Sequence, residues 1–267
     1  MSQDGFEING RLLYFLSNIL SWRELNSIQK KAIPSVLNHE NTLILAPTAS
    51  GKTEAALIPI FSEILDNNLE SCSVLYVSPL KALINDMHNR VEKWGNHFDL
   101  TVTKWHGDVT RDKKDKFTKN PTDFLLTTPE SLEVILMNRS SGVKERVFKN
   151  IKFILIDEIH YFAASDRGVQ LNSLLNRISQ YAPNASIIGL SATVGNPKLI
   201  SQWVSLDKPA KIIQDNEGRK LQYKVFDLPH YALSKVLKRY VDRKVLIFAN
   251  SRKVAETTYL KLKKDIK

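Results

Sequence analysis

The residues best suited to chemistry begin in "LILAPTASGKTEAA", from Leu43 to Ala56. Ala46, Pro47, Thr48, Ala49, Ser50, Gly51, Lys52 and Thr53 follow the pattern G-x-x-x-x-G-K-[ST], with Ala46 where the first glycine would stand. Such a loop aims backbone N–H groups and a helix N-terminus at phosphates. Gly51 permits close backbone approach. Lys52 has the length to reach β- and γ-phosphates, and Thr53 can place its hydroxyl on Mg²⁺. The competing explanation is a chance Gly-Lys-Thr turn at a helix start. An apolar strand before the loop and a helix after it argue against chance.

A phosphate loop needs a second anchor for a metal, and "FILIDEIH" (153–160) supplies one. Four apolar residues lead into Asp157, Glu158, Ile159 and His160, at the strand end where ligands bind in open α/β sheets. Asp157 is suited to hold Mg²⁺ through water. Glu158 is suited to orient or deprotonate an attacking water. An adjacent Asp-Glu pair at this place points to hydrolysis more than to transfer onto a substrate. The alternative is a solvated strand end with capping carboxylates.

These groups must be held by a scaffold, and the chain's patterning describes one. Apolar runs at 41–46, 72–78, 100–105, 123–128, 152–157 and 186–191 read as buried strands. Helices are expected from near Lys52, Leu80, Arg111, Ser131, Gly168 and Pro197. This alternation builds right-handed crossovers and a mostly parallel sheet with helices on both faces. Residues 1–40 read as a helical lead-in, 41–204 as one α/β domain and 205–220 as an irregular linker. Residues 221–267 read as the opening of a second α/β unit: "LQYKVFDL", a helix from about Tyr231, a strand at 244–250 and a helix from Arg252.

Composition narrows the classes further. The 267 residues are 43% hydrophobic and 25% charged, which suits a globular protein. Cys72 is the sole cysteine, so no intramolecular disulfide or cysteine-based metal cluster is possible, and a reducing, cytoplasmic setting is expected. No apolar run is long enough for a membrane span, and "MSQDGFEING" is unlike a signal peptide. The net charge is +10, unevenly spread. Residues 1–206 carry 22 Lys+Arg against 21 Asp+Glu, and residues 207–267 carry 16 against 7. That basic end is either a solvated surface or one wall of a groove for an acidic polymer.

Taken together, the motifs resemble those of superfamily 2 helicases. "APTASGKT", "DEIH" and "SAT" (Ser191, Ala192, Thr193) resemble motifs I, II and III, in that order. "SPLKALINDM" (78–87) resembles motif Ia, "HGD" (106–108) a Gly-Asp strand-contact motif, "TTPESL" (127–132) motif Ib and "VLIFANSR" (245–252) motif IV. Ile159 and His160 stand where DEAD-box RNA helicases would have Ala and Asp, which makes this a DExH sequence. "PTASGKTEAA", "SPLKALINDM" and "LSATVGNP" look most like the large-helicase-related (Lhr-like) group, near the Ski-type helicases.

The resemblance implies a RecA-like P-loop NTPase domain followed by the first elements of a second RecA-like domain. It implies an ATP-dependent helicase or translocase that uses ATP and Mg²⁺. Its partner would be DNA or RNA, as a single strand or a duplex with an overhang. By the same resemblance Gln29 would read the adenine edge, with an ordinary surface position on its helix as the alternative. Tyr14, Phe15 and Trp22 are candidates to pack against the base, with core packing as the alternative for each. Ser191 and Thr193 would couple the γ-phosphate site to strand movement, with His160 in the same network. Pro79, Lys81, Gly107, Asp108, Thr128, Pro129 and Glu130 would touch the nucleic-acid strand, mostly at sugar and phosphate. Arg252 would begin the basic half of the groove.

The family's transition-state arginines lie in motifs V and VI of the second domain, and neither occurs before Lys267. The expectation is therefore a fragment of a larger helicase, or a chain completed by another, and near-inactivity alone. A nucleotide- and strand-binding module without turnover is the alternative. A P-loop enzyme outside the helicases is a third class, disfavoured because it would need neither the strand-contact motifs nor motif III.

Overall fold

The computed structural model describes residues 6–163, 165–192, 194–205, 208–215, 233–240 and 245–265. The chain divides into two compact units, Met1–Gly218 and Arg219–Lys267.

The first unit opens with α1 (Gly10–Tyr14), which runs into a π-helical turn at Phe15–Ile19, and α2 (Ser27–Leu37). Strands and helices then alternate: β1 (Thr42–Leu45), α3 (Lys52–Asn67), β2 (Val74–Val77), α4 (Lys81–Gly95), β3 (Val102–Trp105), α5 (Arg111–Lys119) and β4 (Phe124–Thr127). Two helices follow, α6 (Pro129–Asn138) and α7 (Ser141–Phe148). After them come β5 (Phe153–Ile156), a 3₁₀ turn at Ile159–Tyr161, α8 (Asp166–Ile178), β6 (Ser186–Ser191), α9 (Pro197–Val204) and β7 (Lys211–Gln214). The strands form one sheet in the order β3-β4-β2-β5-β6-β1-β7, and every neighbouring pair is parallel.

Near-continuous apolar strands are what a sheet covered on both faces requires. Successive side chains leave a strand on opposite faces, so each strand feeds two cores. Ile44, Tyr76, Leu126, Leu155 and Leu190 pack with residues of α1 to α4 on one face. Leu45, Val77, Leu125, Ile156 and Ile187 pack with residues of α5 to α9 on the other. Asn41 pins the start of β1 between its neighbours: its Oδ1 accepts from Ile187 N–H (2.7 Å) and its backbone oxygen from Lys211 N–H (2.7 Å).

Two expectations need correction. Residues 211–214 were expected inside a linker, but they form the edge strand β7 beside β1. An edge strand with one covered face needs few apolar residues, and only Ile213 of β7 is buried, so the segment's polar composition concealed it. The strand expected at 244–250 is not formed by the described residues 245–250, where Leu246 is 77% and Phe248 88% exposed. A strand exists only through a neighbour's backbone, and no strand is present among the described residues of the second unit. That unit holds α10 (Leu233–Leu237), a 3₁₀ turn at Lys238–Tyr240 and α11 (Arg252–Asp265). "LQYKVFDL" lies outside the described residues.

Candidate active site

The phosphate-loop candidate leaves β1, the strand between β6 and β7. Ala46 N–H donates to Ser191 O (3.3 Å), and Ser50 N–H closes a turn onto Pro47 O (3.3 Å). Ala49 (φ 60°) and Gly51 (φ 82°) turn the loop through left-handed backbone. Gly51 is needed there twice over: its φ favours glycine, and a Cβ would lie 2.5 Å from Asn26 Nδ2 and 2.8 Å from Gln29 Nε2. No side chain caps the start of α3, so its first N–H groups are left for a ligand. Lys52 is buried, with Nζ 3.3 Å from Ala46 O. Burial lowers the pKa of its ammonium, against the opposing pull of Glu158 and Asp157. Ser50 Oγ is buried with no hydrogen-bond partner. Buried cationic and polar atoms around an uncapped helix start fit an anion.

Facing the loop, Asp157 directly follows β5, and its N–H donates to Val77 O (2.9 Å). One carboxylate oxygen of Asp157 accepts from Glu158 N–H (2.9 Å) and the other from Tyr76 Oη–H (2.5 Å). Burial first, then the charge of Asp157, pushes the Tyr76 hydroxyl well above its ordinary pKa and keeps it a donor. Glu158 sits in left-handed backbone (φ 47°). His160 follows on the 3₁₀ turn, its Nδ1 3.0 Å from Ser191 Oγ and 3.4 Å from Glu158 Oε2. Thr48 to Glu54, Asp157 and Glu158 together line one cleft of ≈650 Å³. Among the described residues no group of three or more His, Cys, Asp or Glu could hold a metal by itself. Thr53 and Asp157 suit an ion that takes most of its ligands from phosphate and water.

Gln29 is buried rather than on a free surface. It forms a capping box at the start of α2: Asn26 N–H donates to Gln29 Oε1 (2.9 Å), and Gln29 N–H to Asn26 Oδ1 (3.1 Å). Asn26 Nδ2 also donates to Ser50 O (2.8 Å), which ties α2 to the loop. Of the three candidate aromatics, Trp22 lines the cleft. Phe15 instead packs among Trp94, His97 and Phe98, and Tyr14 is exposed outside the cleft lining.

The strand-contact candidates gather at the C-terminal ends of β2, β3 and β4. Lys81 Nζ pairs with Asp108 Oδ1 at 2.7 Å, which lowers the Asp108 pKa, and a Cβ on Gly107 would lie 3.3 Å from the same ammonium. Arg167 joins two of the motifs, donating from Nη2 to Pro79 O (2.9 Å) and from Nε to Glu130 Oε1 (2.8 Å). Thr128 caps α6, its Oγ1 accepting from Ser131 N–H (3.3 Å), with Pro129 at the first helical turn. Arg252 belongs to the second unit, on α11, paired with Glu256 (3.0 Å). Thr193 lies outside the described residues.

Residues 26–200 match the DEAD/DEAH box helicase family. The chain belongs to that family. It is 32% identical over 261 residues to the ATP-dependent DNA helicase Hel308 of Pyrococcus abyssi, covering 91% of this chain and 34% of Hel308. It is 32% identical over 265 residues to the ATP-dependent helicase Lhr-Core of Saccharolobus solfataricus, covering 88% of this chain and 30% of the relative. The solved structure of the Mycobacterium smegmatis helicase Lhr bound to ssDNA and AMP-PNP superposes with a TM-score of 0.81 at 26% identity, over 96% of this chain and 36% of that one. The chain thus spans about a third of the length of these relatives. The likeness to superfamily 2 and its Lhr-like members holds, and the α/β sheet is the family's RecA-like fold.

Within this DEAD/DEAH box domain, sequence patterning missed Asn26, Tyr76 and Arg167. Asn26-x-x-Gln29 carried a usable signal, since that spacing is a capping box. Tyr76 reads as one more core residue of "VLYV", although a lone hydroxyl in an aliphatic strand implies a buried acceptor. Arg167 carried no local signal, because both its partners are distant in the chain.

Proposed function

We propose that this chain is the ATP-binding part of a nucleic-acid helicase or translocase. The observation that carries the proposal is the single cleft in which Lys52 and the uncapped start of α3 face Asp157 and Glu158. The loop from Ala46 to Thr53 would cradle ATP phosphates, with Lys52 on the β- and γ-phosphates. Thr53 and Asp157 would hold Mg²⁺, which when bound neutralises charge on the phosphate oxygens. Glu158 would orient the attacking water and take its proton, while His160 and Ser191, with Thr193, would pass the state of that site to the rest of the domain. Gln29 would meet the adenine edge, and Trp22 is placed to pack near it.

Pro79, Lys81, Gly107, Asp108, Thr128, Pro129 and Glu130 would form the track for a DNA or RNA strand. The ssDNA and AMP-PNP on the Mycobacterium smegmatis relative support both ligand classes. The remainder of a second RecA-like domain, in the same chain or another, would supply transition-state arginines, with Arg252 at the start of that half. A nucleic-acid substrate and a lone, buried Cys72 favour the cytoplasm.

The test is ATP hydrolysis by the protein in its longest natural form, with and without single-stranded DNA or RNA. Stimulation by nucleic acid is expected. Lys52→Ala should abolish activity through lost nucleotide binding. Glu158→Gln should lower kcat by about 10²–10⁴-fold with ATP affinity nearly unchanged. A single rate with and without any nucleic acid would overturn the proposal. If the 267-residue chain binds ATP but stays silent even with a complete second RecA-like domain added in trans, it is a binding module instead.

A further inference from the structure

We infer that Tyr76 is a positioning residue for the metal-holding carboxylate, and so sets how tightly the nucleotide's divalent cation is bound. The inference rests on the nucleotide-site reading above and concerns a residue that reading does not use. Tyr76 is 2% exposed, in the middle of β2. A phenylalanine would fill that core position with no polar atom to satisfy. The hydroxyl is tolerable only with a partner, and its partner is Asp157 Oδ2.

The geometry leaves Asp157 little freedom. Its Oδ1 accepts from Glu158 N–H (2.9 Å) while Oδ2 accepts from Tyr76 (2.5 Å), so donors fix both oxygens and the plane of the carboxylate. The backbones beneath the pair are fixed too. Val77 is paired with Ile156 in the parallel ladder, and Asp157 N–H donates to Val77 O (2.9 Å). Tyr76, Asp157 and Thr53 all line the cleft. The lone pairs that remain on Asp157 are therefore presented to the cleft in one orientation. Hydrogen-bond partners behind a metal-binding carboxylate act in this way, and losing one weakens the metal by about 10–100-fold.

The experiment titrates a fluorescent, non-hydrolysable ATP analogue onto the chain over a range of Mg²⁺ concentrations. Tyr76→Phe should leave metal-free nucleotide affinity unchanged and raise the Mg²⁺ concentration for half-maximal binding by about tenfold. On an Asp157→Asn background, Tyr76→Phe should add nothing. A 4-aminophenylalanine at position 76, which keeps a donor in place, should restore most of the metal dependence. A 4-fluorophenylalanine, which fills the hydroxyl's volume without donating, should behave like phenylalanine and replaces it if that variant does not fold. An unchanged Mg²⁺ requirement, or an equal loss with and without metal, would show a merely structural tyrosine and overturn the inference. Absence of any Mg²⁺-dependent binding by the unsubstituted chain would overturn the nucleotide-site reading itself.

Discussion

Gly51 concentrates several demands in one residue. Its backbone turns through φ 82°, and the space where a side chain would begin is taken by the amides of Asn26 and Gln29. Gly51→Ala must both hold left-handed backbone and displace those amides, which belong to the capping box. The left-handed conformation alone costs about 1–3 kcal/mol. We expect a loss of at least that size in urea denaturation, with weaker ATP binding because the loop and the start of α3 move apart. A stable Gly51→Ala protein with unchanged nucleotide affinity would contradict this account. At Lys52, next in the chain, burial disfavours the charge while Glu158 and Asp157 favour it.

The element tied to the loop is α2. Asn26 accepts from Gln29 N–H and donates to Ser50 O, so one side chain starts a helix and fastens the loop from Ala46 to Thr53. Asn26→Ala should cost about 1–2 kcal/mol in stability, read from the urea midpoint, and should weaken ATP binding where an ordinary cap substitution would not. α2 was legible only as part of a helical lead-in over residues 1–40, because the capping box of Asn26 and Gln29 that fixes its start went unread. The five inner strands, β1, β2, β4, β5 and β6, were legible because each is buried on both faces. β7 was not, since an edge strand with only Ile213 buried has too little apolar content to stand out. α7 carried no comparable run, and its buried residues are Val147 and Phe148 alone. At the site, the loop and the DEIH run were legible because their chemistry sits within a few consecutive residues. The links made by Tyr76 and Arg167 were not, because the first crosses from β2 to β5 through the parallel register and the second joins α8 to α6 and to the loop after β2.

Across the first unit, burial and charge meet at two histidines beside the outer edge of the sheet. His88 and His106 have lowered pKa values, with burial the largest cause in each. Glu92 and Asp108 oppose the shift, and Lys104 adds to it at both. The folded state therefore keeps these rings neutral at pH values where the unfolded chain has begun to protonate them. Stability from this source is complete above the ordinary histidine value of 6.5 and is lost as pH falls through the lower folded-state values. The urea midpoint should drop between pH 7.5 and pH 5.5, and His106→Gln should make that drop smaller. An equal drop in the variant would assign the effect elsewhere.

The strand order also dictates a sequence of assembly. Thr42 on β1 pairs with Ile188 on β6 and Lys211 on β7, the two last strands to be reached along the chain. β2, by contrast, already finds its partner at Phe124 on β4. Distant pairings carry a larger closure cost and form late. Pulse-labelled hydrogen exchange during refolding should therefore protect the amides of β2 and β4 before those of β1. The loop from Ala46 to Thr53 hangs from β1, so it should be held in place only after strands much later in the chain have joined the sheet.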